Sequence, residues 1–129
     1  MSIERFTLPV AEDLRKVETV LDQETQSSVP LITTVVQYTI QSQGKRLRPL
    51  LTILSAKLSG YTGEGAIRMG AALEMIHTAT LLHDDVVDDA ALRRGKSSVK
   101  SKWGNQISVL VGDFFWTKAS EIIVQQGSL

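Results

Sequence analysis

The sequence predicts an all-α fold, and three observations carry that expectation. Proline and glycine fall where helices start and stop, apolar residues recur at three- and four-residue spacing between them, and no alternating apolar and polar run is bounded by hairpin turns. Pro9 precedes an amphipathic stretch over about Val10–Glu24. In "SSVP", Ser28 is placed as an N-cap and Pro30 falls in the first turn of a second helix, which runs to about Gln43 and stops at Gly44. "RPLLTILSAKLSG" gives a short third helix that starts around Pro49 and ends before Gly60. Thr62 and Glu64 open a longer run through Ile67, Ala71, Ile76 and Leu82, continuing past a group of aspartates toward a stop near Gly95. A fifth helix begins around Asn105 and reaches about Gln126. Its Ile107, Leu110, Val111, Phe114, Phe115 and Ile122 make it apolar on more than one side, which calls for a partner surface.

At 129 residues, 43% hydrophobic and 22% charged, the chain is expected to form one globular domain over 1–129 with a core of its own. Lys and Arg together number 14, as do Asp and Glu, so no global field selects nucleic acid or an anionic membrane, and electrostatic function must reside in local clusters. Without cysteine there is neither a disulfide framework nor a thiolate zinc site, and the expected location is cytoplasmic. The N-terminus mixes Glu4, Arg5, Glu12 and Asp13 into its apolar residues and so lacks a signal-peptide core. The most apolar segment, Ile107–Trp116, is too short for a bilayer and contains Asp113. No transmembrane segment is expected.

The stretch "LLHDDVVDDAALRRGKSSVK", Leu81–Lys100, places four aspartates within six residues. On a helix Asp84 and Asp88 stack one turn apart, on the stripe of His77 and Leu81, while Asp85 and Asp89 form a parallel row. Like charges four apart cost a few tenths of a kcal/mol per pair, and carboxylates in a last turn oppose the macrodipole. A solvated acidic helix end balanced by Arg93 and Arg94 is the plain explanation, but the row follows "MIHTATLLH", which reads as buried. A divalent cation turns this repulsion into ligation, and oxygen ligands with no cysteine nearby select magnesium, with manganese as the alternative. Magnesium takes one or two carboxylates and leaves its other positions to water and phosphate, which points to a phosphorylated substrate.

Competing motifs fail. An EF-hand loop starting at Asp84 has Val86 at its third position and Asp89 where glycine is required. "RRGKSS" resembles the end of a P-loop, yet Ala90 stands where its first glycine belongs. His77 and His83 form no HExxH pair. "GKRLRP", Gly44–Pro49, puts three cations in four residues at a helix junction, where lysine as a point charge and arginine as a fork form a clamp for a second phosphate group. "GKSSVKSK" lacks the interleaved aromatics of a nucleic-acid surface, and no nucleic-acid partner is expected.

Taken in order, these motifs resemble the trans-isoprenyl (polyprenyl) diphosphate synthase family. "GKRLRP" is similar to that family's GGKRxRP motif, with Gln43 in place of the first glycine, and "DDVVDDAALRRG" to its first aspartate-rich motif. "VLVGDFFWTKA", Val109–Ala119, resembles the helix that follows in the family. The resemblance spans essentially the whole chain and is strongest to bacterial long-chain synthases of the octaprenyl and solanesyl type. It implies a helical bundle of the isoprenoid synthase type, cut to about five helices. It further implies condensation of isopentenyl diphosphate with an allylic diphosphate into a long all-trans polyprenyl diphosphate, a quinone side-chain precursor. Asp84 and Asp88 would hold magnesium on the allylic diphosphate with Asp85 in support, and Arg93 would bind that diphosphate. Lys45, Arg48, His77 and Arg94 would bind isopentenyl diphosphate. Small residues at Ala79 and Thr80, upstream of Asp84, would keep the product tunnel open. A homodimer or a partner chain is implied as well. Family members are more than twice as long and carry a second aspartate-rich motif, whereas only Asp113 follows Asp89 here. The chain therefore reads as an N-terminal half, and the alternative expectation is a non-catalytic helical module that binds diphosphate or associates with a full-length synthase.

Overall fold

A computed structural model describes residues 4–42 and 44–127, apart from the side chains of Glu4 and Phe6. After a short helix α1 (Glu4–Thr7) and a 3₁₀ turn (Leu8–Val10) come α2 (Ala11–Glu24), α3 (Pro30–Gln41), α4 (Leu47–Leu58) and α5 (Gly65–Val87). A small hairpin of β1 (Leu92–Arg93) and β2 (Lys96–Ser97) follows, then α6 (Val99–Trp103) and α7 (Asn105–Gln126). The all-α expectation holds, and α2 and α7 fall where the sequence placed them.

Helix α5 is the axis. It packs most extensively along α7 and is flanked by α4 and α2. Its core face, Ile67, Ala71, Ala72, Met75, Ala79 and Leu82, meets Val111, Phe115, Ala119 and Ile122 of α7 in one apolar cluster. Full burial of side chains such as Phe115, Met75 and Ile122 contributes roughly 1.5–3 kcal/mol each before chain entropy is counted. Small residues bring the backbones together: a Cβ on Gly70 would lie 3.2 Å from Pro49 Cα, so α4 crosses α5 in contact there. The buried Ser108 hydroxyl donates to Leu82 O at 2.8 Å and ties α7 to the last turns of α5.

Several helix ends differ from expectation. Val29, in extended conformation, precedes α3, and Ser27 Oγ rather than Ser28 accepts a bond, from Val29 N–H at 3.1 Å. Helix α3 ends at Gln41 with Ser42 as cap, so Gly44 is not its stop; Gln43 lies outside the described residues. Gly60 follows α4 with φ 83°, as expected of a C′ glycine. Neither Thr62 nor Glu64 caps α5 through its side chain; the Tyr61 hydroxyl accepts the Gly65 N–H at 3.1 Å instead.

The largest correction is at the other end of α5, which stops at Val87 rather than near Gly95. Asp89 adopts the left-handed conformation (φ 52°), Asp89 N–H bonds Val86 O at 3.3 Å, and Ala90 N–H bonds Asp85 O at 2.9 Å. This pair of bonds is a Schellman close, with aspartate serving where glycine is usual. The expectation of no strands also fails: Arg93 pairs with Lys96 across a two-residue loop, Arg94–Gly95, whose φ angles of 53° and 77° are both positive, as a tight hairpin of right-handed twist requires.

Candidate functional site

The Schellman close decides which aspartates face solvent. Asp88 N–H still bonds Asp84 O at 2.8 Å, so Asp84 and Asp88 stay one turn apart, and both are exposed. Neither carboxylate has an ion-pair partner among the described residues. Asp85 and Asp89 do not form the expected parallel row, because the chain leaves the helix between them. Asp89 pairs with Lys100 of α6, and that bond holds its carboxyl below the usual range. Asp85 turns inward and is 2% exposed.

Arg93 covers Asp85. Its Nε lies 3.0 Å and 3.1 Å from the two carboxylate oxygens and its Nη2 lies 2.6 Å from Oδ1, a fork that fixes the guanidinium plane. The hairpin carrying Arg93 is pinned from both sides. Tyr38 of α3 donates its hydroxyl to Ser97 O at 2.6 Å, and Ser98 Oγ donates to Ala90 O at 2.6 Å. Tyr38 meets Trp103 edge to face at 5.0 Å, with the Lys102 ammonium 4.5 Å from the Tyr38 ring centre. Arg93 is thus a preset cation beside two solvent-facing carboxylates.

The second cluster gathers on the α3–α4 connection. Gly44, Lys45, Arg46, Leu47, Arg48, Glu74, His77 and Arg94 line one concavity. All four residues expected to bind isopentenyl diphosphate, Lys45, Arg48, His77 and Arg94, are therefore brought together from three separate segments. Arg46 starts α4 with left-handed backbone (φ 54°) and turns to Glu18, at 2.5 Å and 3.3 Å, and to Glu74, at 3.5 Å. Burial, then the positive charges of Arg48, Arg94 and Arg93, push the His77 pKa below its ordinary value, so its imidazole is neutral at pH 7. His77 precedes Asp84 by seven residues, which sets the two polar clusters about 10 Å apart along α5.

Gly44 has a role the sequence did not reveal. A Cβ built there would lie 2.0 Å from Arg94 Nη1 and 2.9 Å from its Cζ, so the guanidinium rests directly on the glycine. Gly44→Ala is expected to push Arg94 aside and weaken binding of an anion such as inorganic diphosphate in the concavity about tenfold, while unfolding stability changes by no more than about 0.5 kcal/mol, because only a flexible side chain must move. Titration calorimetry beside a thermal melt separates the two effects.

Glu74 was missed altogether. It sits on the core face of α5 among apolar neighbours, and the signal available was a lone charge on an apolar stripe. The chain-length candidates separate: Ala79 is fully buried in the α5–α7 core, while Thr80 is exposed on the stripe of Asp84, with its hydroxyl on His77 O at 2.6 Å. Among the described residues no three His, Cys, Asp or Glu side chains are grouped to hold a metal ion. Two unpartnered carboxylates one turn apart nevertheless fit magnesium, which draws few ligands from protein.

A family model described as Polyprenyl synthetase matches residues 29–128. The octaprenyl diphosphate synthase of Escherichia coli (strain K12) is 41% identical over 129 residues, covering 100% of this chain and 40% of that protein. A polyprenyl synthase from Caulobacter crescentus CB15, solved in complex with calcium and isoprenyl diphosphate, superposes with a TM-score of 0.94 at 42% identity, over 99% of this chain and 39% of its own. A decaprenyl diphosphate synthase from Rhodobacter capsulatus gives 0.92 at 39% identity, over 96% and 38%. The chain thus spans about two fifths of the length of these relatives.

Proposed function

Since this chain belongs to the polyprenyl synthetase family, we propose that it supplies the diphosphate-binding face of an enzyme that joins isopentenyl diphosphate to an allylic diphosphate, giving a long all-trans polyprenyl diphosphate. The observation that carries the reading is the convergence of Lys45, Arg48, His77 and Arg94 on one concavity, about 10 Å along α5 from Asp84 and Asp88. Two anion sites at that spacing suit two diphosphate esters whose hydrocarbon ends must meet.

In this scheme Lys45, Arg48 and Arg94 hold the diphosphate of isopentenyl diphosphate, and neutral His77 adds a hydrogen bond. Arg93, locked by Asp85, faces the diphosphate that leaves the allylic substrate. Asp84 and Asp88 would hold magnesium, or manganese, which when bound neutralises charge on that departing group. The Caulobacter relative, solved with calcium and isoprenyl diphosphate, supports a divalent ion in this role. Holding both esters makes the coupling effectively unimolecular, and the apolar flank of α5 keeps water from the carbon centre that loses diphosphate. Apolar residues open on α7, among them Leu110, Trp116 and Val124, form the surface on which a second copy or a partner chain would seat. No helix among the described residues is long and apolar enough to cross a membrane.

The test is magnesium-dependent elongation of farnesyl diphosphate with labelled isopentenyl diphosphate, by the chain alone and with a candidate partner. Long products support the proposal. Diphosphate binding without turnover supports the non-catalytic module instead. Neither binding nor turnover by folded protein overturns both. Thr80→Phe is expected to shorten the products, whereas Ala79→Phe overfills a sealed core position and destabilises the fold by roughly 1–3 kcal/mol or more.

A further inference from the structure

Glu74 is the one buried carboxylate in the basic concavity, and the proposed chemistry gives it nothing to do. It is 5% exposed, yet lines the same space as Lys45, Arg48, His77 and Arg94. Its Oε1 is 3.5 Å from Arg46 Nη1, while Glu18 holds that guanidinium more closely, at 2.5 Å. Its Oε2 is buried with no hydrogen-bond partner. A negative group in a site built for anions works against the ligand, and an orphaned carboxylate oxygen is costly in a dry environment. Protonation removes the first objection and lessens the second, because a neutral carboxyl costs far less to bury than a carboxylate.

We propose that Glu74 is the proton-uptake group of this anion site: entry of a diphosphate draws a proton from solvent onto the Glu74 carboxyl, so the bound state holds a neutral acid where the free state holds a carboxylate. The inference rests on the diphosphate reading of the concavity. The groups facing Glu74 are Arg46 and Arg48 from the α4 end, Glu18 from α2, His77 on its own helix, and Lys45 and Arg94 across the opening. Burial pushes its pKa up, Arg46 and Arg48 pull it down, and Glu18 adds to the rise; the net direction is upward. An arriving diphosphate adds like charge and moves it further the same way. The sign follows. Affinity rises as pH falls through the window between the free and bound values of Glu74. The slope vanishes above that window, where Glu74 is charged in both states, and below it, where it is neutral in both. His77 takes up a proton under the same influence, and must be separated from it.

The experiment is calorimetric titration of the full chain with inorganic diphosphate, without metal and at constant ionic strength, from about pH 5 to pH 8, in buffers of different ionisation enthalpy. Wild type is expected to take up protons beyond the ligand's own contribution, and His77→Gln to retain part of that uptake. Glu74→Gln, which mimics the neutral acid, is expected to lose the part retained by His77→Gln. It should also bind more tightly than wild type at the alkaline end, by about tenfold for each unit of pKa coupling. A purely structural role predicts weaker binding instead. Glu74→Gln with unchanged uptake, or with equal or weaker affinity, overturns the proposal. Should circular dichroism show that Glu74→Gln does not fold, His77→Gln decides alone: uptake supports the proposal and its absence overturns it. If wild type binds no diphosphate at any pH, the functional reading falls and takes this inference with it. Binding that Arg48→Ala removes, without Glu74-dependent uptake, sinks the inference alone.

Discussion

Asp84→Ala and Asp88→Ala are each expected to weaken magnesium-dependent binding of an unreactive allylic diphosphate analogue by about 100-fold or more, and to leave the folded state no less stable. Both carboxylates are exposed and lack an ion-pair partner among the described residues, so nothing in the fold depends on them. Asp84 lies in the last turn of α5 and Asp88 caps it, where the helix carbonyls already concentrate negative charge, and removing one relieves an i, i+4 repulsion of about 0.2–0.5 kcal/mol. Calorimetry with magnesium plus analogue gives the affinity, and a denaturation curve the stability. Asp89→Ala is the internal control: Asp89 is spent on Lys100, and its loss should change magnesium-dependent affinity little. Full affinity in the Asp84, Asp88 double variant would dispose of the metal assignment, as would binding that a chelator leaves untouched.

Arg93→Ala is expected to act on the fold as well as on ligand binding. It strips three close contacts from Asp85, which is 2% exposed. Breaking a buried pair by removing one member costs about 3–5 kcal/mol, and the lower end applies because Arg93 is itself partly open to water. Urea denaturation should show a loss of about 3 kcal/mol, with the hairpin the first region to exchange its amides. Asp85→Asn, which keeps the shape and one acceptor, should cost less in stability but release Arg93 from its fixed plane, lowering affinity for the allylic diphosphate. If Arg93→Ala melts like wild type, Asp85 is not the charge that Arg93 neutralises.

The helices were legible where hydrophobic spacing and proline or glycine agreed. Helix α7 is the clearest case, because its apolar residues are dense and Gly104 and Gly127 bracket it. Helix α5 was legible in its body but not at its end, since its stop is a left-handed aspartate and the sequence marks that conformation reliably only with glycine. The hairpin was hidden for the same reason: Arg94 takes a backbone conformation that its side chain does nothing to announce. The candidate site was legible as charge, because Asp84, Asp88, Lys45, Arg48, Arg93 and Arg94 break local rules in plain sight. Their grouping was legible only through the family resemblance, because it depends on contacts across the fold, such as Arg94 lying on Gly44. Glu74 shares the spacing of Ile67, Ala71 and Thr78, so its place on the apolar stripe was available in the sequence; it escaped because it stands apart from the charge runs that drew the reading.

Arg46, Asp89 and Arg94 all hold positive φ, at 54°, 52° and 53°, at a cost of about 1–2 kcal/mol each relative to ordinary backbone. Glycine or asparagine would sit there with less strain. In a lineage under pressure only to stay folded, these three codons should therefore drift toward the cheaper residues. Basic side chains kept at positions 46 and 94 mark descendants still under selection for their charge, and divergence there would reveal retirement before any change in the core did.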